Sequence, residues 1–128
     1  MLYAAVTQYL GFEMLSDEYK VMGLALYGGD SLVPDFRRLV NLSSNGFYSL
    51  NLDFFQFHET FGKTSYVSEK FYKLFGPPRK NRDPVDKRHQ EIASSLQSLM
   101  KDTAIHLITH LKRVTQEREL CYSGGELL

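Results

Sequence analysis

The sequence contains a single cysteine, Cys121. No disulfide can form within the chain, and such cysteine usage suits a reducing compartment. Neither sign of charge is in excess, with 15 Lys and Arg against 15 Asp and Glu. No global field therefore recruits nucleic acid or an acidic membrane. No apolar run approaches the roughly 20 residues of a membrane-spanning helix. Met1 to Val6 lack a basic n-region and an apolar h-region, so no signal peptide is expected and the expected location is cytoplasmic. Internal repeats and low-complexity tracts are missing too. What is present is ordinary for a globular chain: 128 residues, 43% hydrophobic and 23% charged. That length corresponds to one domain or a piece of one, able to bury roughly two-thirds of its unfolded surface.

Apolar spacing predicts a short helix over 2–10, with Leu2, Ala5, Val6, Tyr9 and Leu10 on one stripe and Gly11 ending it. Ser16 is the expected cap of a second helix, with Asp17 and Glu18 in its first turn and Gly28-Gly29 at its end. Pro34 suits the first turn of a third. Asn45-Gly46 signals a hairpin whose central positions need positive φ. Its strands are expected at Leu39 to Leu42 and at Tyr48 to Phe54, the latter with Tyr48, Leu50, Leu52 and Phe54 on one face. Val67 to Phe75 reads as a helix closed by Gly76-Pro77-Pro78, and Arg79 to Arg82 as a solvated basic connector. Asp83 is the expected cap of a long helix, with Pro84 at its first position and Asp86 near N3. Its apolar positions Ile92, Leu96, Leu99, Thr103, Leu107, Leu111 and Val114 recur every three or four residues as far as Glu117. A helix of roughly 50 Å is too long for so small a domain unless it kinks or leans on something else. Glu119 to Ser123 reads as a strand running into Gly124-Gly125. The expected class is α/β, or α+β within these residues.

The most informative stretch is Asp17 to Gly29, which combines acid, base and the glycines Gly23, Gly28 and Gly29 with apolar side chains. Glycine inside a helix costs about 1 kcal/mol relative to alanine. Where it occurs, it usually lets another backbone or a ligand approach closely. Lys20 and Glu18 are suited to a phosphate and a ribose diol, respectively, although their spacing alone favours a solvated helix face. Strand followed by Gly-Gly is a phosphate-approach geometry when a helix starts directly after it, and otherwise a turn. His106 and His110, four apart, place two imidazoles on one helix face. No third ligand stands nearby, so no metal is assigned to them. Arg79, Lys80, Arg82, Lys87 and Arg88 lie near Phe71, Tyr72 and Phe75 in sequence, but Asp83, Asp86 and Glu91 interrupt the patch, so nucleic acid is not an expected partner.

Taken in order, several blocks resemble the carbamoyltransferases of the nodulation-protein U and antibiotic-tailoring family. Glu18 to Gly28 is similar to the hallmark "EYKVMGLAPYG", with Leu26 in place of its proline. Leu2 to Phe12 resembles the segment leading into that hallmark. Asn51 to His58 and Phe75-Gly76-Pro77-Pro78-Arg79 resemble later blocks. Glu91 to Gln97 resembles the "DIAASVQ" helix, and Leu120 to Gly125 the glycine-pair segment "LCLAGGVALN".

The resemblance implies part of an actin-like ATPase (ASKHA) fold. It also implies a reaction that moves a carbamoyl group from carbamoyl phosphate, through carbamoyl-adenylate made with ATP, onto the hydroxyl of a small-molecule acceptor. The family uses iron held by histidines and aspartates, and a separate YrdC-like domain helps form the adenylate. Residues 1–128 would be the middle of the N-terminal domain, with the histidine-rich metal motif upstream and the late metal aspartate downstream. Missing halves of the parent chain would then be partners, and the piece alone would be inactive. By this correspondence, Glu18, Lys20, Gly23, Gly28, Gly124 and Gly125 form the adenylate side. Glu126-Leu127-Leu128 stand where the family has "VALN", putting a carboxylate where it would repel a phosphate. Two other readings are a non-catalytic interaction module and a relative of the proteins that make threonylcarbamoyl-adenosine in tRNA.

Overall fold

The computed structural model describes residues 1–57 and 65–123. Its helices are α1 (Leu2–Tyr9), α2 (Glu18–Ala25), α3 (Val33–Phe36), α4 (Glu69–Phe75) and α5 (Lys87–Thr115). Between α3 and α4 lie strands β1 (Val40–Leu42) and β2 (Tyr48–Leu50), which pair antiparallel in the register Val40↔Leu50, Asn41↔Ser49 and Leu42↔Tyr48. The class is α+β, with helices around one small two-stranded sheet.

The core is built on α1. A single buried stripe was expected, but Tyr3, Ala4 and Thr7 are buried as well. The element is a central helix covered nearly all round. Around it close Phe36, Leu39, Phe54, Phe55, Val67, Phe71, Phe75, Ile92 and Leu96. Phe71 meets Tyr9 edge-on at 5.0 Å and Phe75 at 4.5 Å between ring centroids, spacings at which aromatic pairs add to simple burial. Gly11 ends α1 in the left-handed region (φ +75°), and a Cβ there would lie 2.6 Å from the Arg79 carbonyl oxygen.

Several boundaries differ from those the sequence suggests. Asp17, not Ser16, stands at the N-cap of α2, and its carboxylate turns to the Glu13 N–H (3.1 Å) instead of the helix amides. The hairpin loop is longer than a two-residue turn. The Gly46 N–H donates to the Ser43 carbonyl (3.0 Å), and only Gly46 has positive φ. Asn45 acts through its side chain, which accepts from the Phe47 N–H. β2 stops at Leu50 because the Asn51 side chain accepts from the Asp53 N–H (3.3 Å) and starts a 3₁₀ turn over Leu52–Phe54. That turn buries Phe54 and leaves Leu52 exposed, so the expected alternation breaks.

α5 is capped by Asp86, not Asp83. The Asp86 carboxylate accepts from the His89 N–H at 3.0 Å, and the His89 ring folds back onto Asp86, so the reciprocal cap lies three residues beyond the expected one. The helix has 29 residues, a length of roughly 43 Å. Its first half is anchored in the core through Ile92, Ala93, Leu96 and Leu99. Arg37 ties it to the turn after α3 by a two-pronged contact with Asp102 (3.0 and 2.7 Å). Beyond Thr103 its apolar side chains Ile105, Leu107, Ile108, Leu111 and Val114 are exposed. Residues 119–123 carry no strand.

Candidate functional site

A groove of about 550 Å³ opens between α2, α5 and the segment after α5. Met22, Ala25 and Leu26 form one wall. Along α5 the lining runs from polar to apolar: Ser94, Gln97, Ser98 and Lys101, then Ala104, Ile105 and Ile108. Leu120 and Tyr122 close the far end, directly before Gly124-Gly125 in sequence. A largely apolar hollow of this size with a few polar groups at one end suits a small organic ligand. Lys101 is exposed and pairs with no acid among the described residues, so its ammonium is available to an anion.

Gly28 makes the wall possible. A Cβ on it would lie 2.1 Å from the Gln90 carbonyl oxygen and 2.6 Å from the Ser94 Cβ. The chain leaving α2 therefore touches the α5 backbone at a distance only glycine permits. Close approach at this glycine is backbone to backbone, and Gly28 is a packing residue here. Gly23 differs, since an added Cβ would meet nothing within 4 Å. No packing in the described structure accounts for this mid-helix glycine.

The charged pair of the hallmark is engaged locally. The Glu18 carboxylate accepts from the Leu15 N–H (2.7 Å) and holds Leu15 at a left-handed φ of 66°. The Lys20 ammonium lies 2.7 Å from Asp17. Their hydrogen bond raises the Lys20 pKa and lowers that of Asp17. Glu18, Lys20 and Gly23 flank the groove on α2 without lining it. Gly124 and Gly125 lie outside the described residues.

A second cluster is not apparent from sequence spacing. Arg79, expected in a solvated connector, is only 8% exposed. Its guanidinium donates to the carbonyls of Leu10 (2.6 Å), Asp83 (2.6 Å) and Gly11 (3.4 Å) and sits over the Phe12 ring. It thus satisfies the end of α1, where free carbonyls and the helix dipole favour a cation. Arg88 donates to Tyr9 Oη (3.0 Å) and to the carbonyls of Phe75 and Pro77. Burial raises the Tyr9 pKa and, more strongly than the neighbouring charges, lowers that of His89. The Asp86 backbone N–H donates to His89 Nδ1 (3.1 Å), closing the reciprocal cap, and the Arg88 guanidinium, which can only donate, lies 3.0 Å from Nε2. The cluster is architectural: it clamps α1, α4 and α5 together. Among the described residues no group of three His, Cys, Asp or Glu side chains can hold a metal ion.

Comparison with known proteins agrees with the motif order. Residues 1–128 match the family model described as the carbamoyltransferase N-terminus. The chain belongs to that family. It is 34% identical over 130 residues to the uncharacterized protein sll1178 of Synechocystis sp., covering 100% of this chain and 21% of that protein. It is 32% identical over 126 residues to nodulation protein NolNO of Sinorhizobium fredii, covering 98% of this chain and 16% of the relative. Nodulation protein NolO of Bradyrhizobium diazoefficiens is 29% identical over 126 residues, with 98% and 20% covered. The chain therefore spans about a fifth, or less, of the length of these curated relatives. No helix among the described residues is long and apolar enough to cross a membrane.

Proposed function

We propose that the chain is one portion of the catalytic N-terminal domain of an ATP-dependent O-carbamoyltransferase. The parent enzyme would move a carbamoyl group from carbamoyl phosphate, through carbamoyl-adenylate, to the hydroxyl of a small-molecule acceptor. The observation that carries this reading is the groove between the hallmark helix α2 and α5, in a chain whose full length matches the family. Its apolar end, at Leu26, Ile105 and Ile108, suits the faces of an adenine ring, and Lys101 suits a phosphate. Gly124 and Gly125 would let the phosphate approach the backbone, with Gly23 leaving open space on α2. Glu18 would turn from the Leu15 amide to a ribose hydroxyl, and Lys20 from Asp17 to phosphate. Gly28 would act indirectly, by setting the distance between α2 and α5.

Iron does not fit the described residues, so its ligands would come from other parts of the parent. The actin-like fold is likewise proposed for the parent domain, of which the α+β unit would be a part. The exposed apolar residues on the second half of α5 support the fragment reading, because monomeric proteins rarely leave such a stripe uncovered. The same stripe also favours the second reading, a non-catalytic interaction module.

Titration of the isotope-labelled protein with ATP, followed by amide NMR, tests the adenylate site. The expected result is saturable shifts at Met22 to Leu26 and Lys101 to Ile108 that Ile105→Arg abolishes. Shifts confined elsewhere, or none, would remove the groove from the adenylate reading and leave the interaction module. Carbamoyl transfer by the 128 residues alone would overturn the fragment reading.

A further inference from the structure

A second cleft, of about 390 Å³, opens on a different face of α5, where the hairpin loop crosses the helix. Its lining is Ser44, Gly46, His106, Thr109, His110 and Arg113, with neither an acid nor a large apolar side chain. We propose that this cleft binds a phosphate group, either as free inorganic phosphate or as the end of a phosphate monoester. The proposal is independent of the adenylate reading, which concerns the groove beside α2.

The loop is held firmly against the helix. Gly46 is buried at φ +84°, and a Cβ there would lie 2.1 Å from the His110 Cγ, so the loop backbone rests on the imidazole. The Phe47 carbonyl faces His106 Nε2 at 3.3 Å. A carbonyl only accepts, so Nε2 of His106 is the donor. Arg113 lies 3.0 Å from His110 Nδ1, and a guanidinium only donates. His110 Nδ1 therefore accepts, and the proton of the neutral ring sits on Nε2, as a donor not used in that contact. The remaining Arg113 N–H groups and the Ser44 and Thr109 hydroxyls add further donors. Arg113 pairs with no carboxylate among the described residues. A pocket of donors with one permanent cation and no acid selects an anion with several acceptor oxygens, and charge-assisted bonds from Arg are the strong ones. The same features disfavour a metal cation, since Arg113 would repel it and occupies the His110 nitrogen.

The test is titration of inorganic phosphate into the labelled protein at constant ionic strength, with sodium chloride as control and glycerol 2-phosphate as a parallel arm. Saturable shifts of the Ser44 to Phe47 amides and of the His106 and His110 rings are expected. Arg113→Ala should weaken binding by about tenfold, the loss of one charge-assisted contact. Ser44→Glu, at an exposed loop position, should do so through like-charge repulsion and covers the case in which Arg113→Ala fails to fold. Tighter binding of either phosphate form supports the site and identifies the source. Non-saturating shifts, equal shifts with chloride, or unchanged affinity in both variants would overturn it.

Discussion

Gly28 and the Gln90 carbonyl approach so closely that a single added carbon would lie 2.1 Å from that oxygen. Two residues before α2 ends, Gly23 faces open space. The two glycines should therefore respond oppositely to alanine. Gly28→Ala forces α2 and α5 apart and should cost about 1–3 kcal/mol, the usual range for overpacking. Gly23→Ala should gain about 1 kcal/mol from helix propensity. Urea denaturation of both variants measures this. If Gly23 is kept for a ligand, its alanine variant should be more stable yet weaker in ATP binding, a combination that pure packing cannot produce.

Arg79 should be the most damaging single arginine to lose. Its guanidinium satisfies carbonyls at the end of α1 and after α4, and truncation leaves the buried Leu10 carbonyl without that donor. Arg79→Ala should destabilise by roughly 3 kcal/mol, in line with charged hydrogen bonds and unsatisfied buried acceptors. Arg79→Lys should recover little, because one ammonium cannot reach several diverging carbonyls. Exposed Arg82 should tolerate alanine with a change within about 0.5 kcal/mol. Thermal melts of the three variants give the comparison.

His89 gives stability a pH dependence with a defined sign. Burial lowers its folded pKa below the ordinary 6.5, so the unfolded chain takes up a proton more readily than the folded one. Its contribution is present above pH 6.5 and is lost as the pH falls from there toward the folded value. Asp86, whose pKa the His89 N–H lowers below 3.8, contributes above that value and is lost in a second, more acidic step. His89→Gln should remove the first step while keeping the reciprocal cap, since glutamine at that position can also reach back. Subtracting the two stability–pH curves isolates the imidazole. Identical curves between pH 7 and 5 would refute its role.

The helices were legible because their signals are local. Pro34, Gly76 and the apolar period from Ile92 to Thr103 each mark an element the structure contains. Spacing places the cap of α5 too early because Asp83-Pro84 offers the familiar pattern, whereas the operative pair Asp86–His89 uses a histidine that spacing rules rarely consider. Alternation overextends β2 because Asn51 competes for the backbone through its side chain, an effect that alternation does not register. Of the site, α2 and its glycines were legible. The partner that gives Gly28 its meaning lies 62 positions later on α5 and only tertiary packing reveals it. Arg79 was hidden for the same reason, since its acceptors are 69 and 68 residues away at Leu10 and Gly11.

The second half of α5 combines helix-forming sequence with uncovered apolar side chains. Ile105 is 52% exposed and Val114 58%, whereas Ile92 and Leu96 on the same helix are fully buried. Burial, not propensity, supplies most helical stability, so the two halves should differ sharply in protection. Amide hydrogen exchange should be slow from Ile92 to Leu99 and fast from Ile108 to Val114. A polypeptide that covers the stripe should slow exchange in the second half alone. Ile108→Glu should cost less than about 0.5 kcal/mol in the chain by itself, because the side chain is already 40% exposed. In a full-length homologue of nodulation-protein size, the equivalent change should be far more costly if the stripe is an internal interface there, as the fragment reading requires. Equal tolerance in both settings would show the stripe to be free surface and would favour neither the fragment nor the docking role.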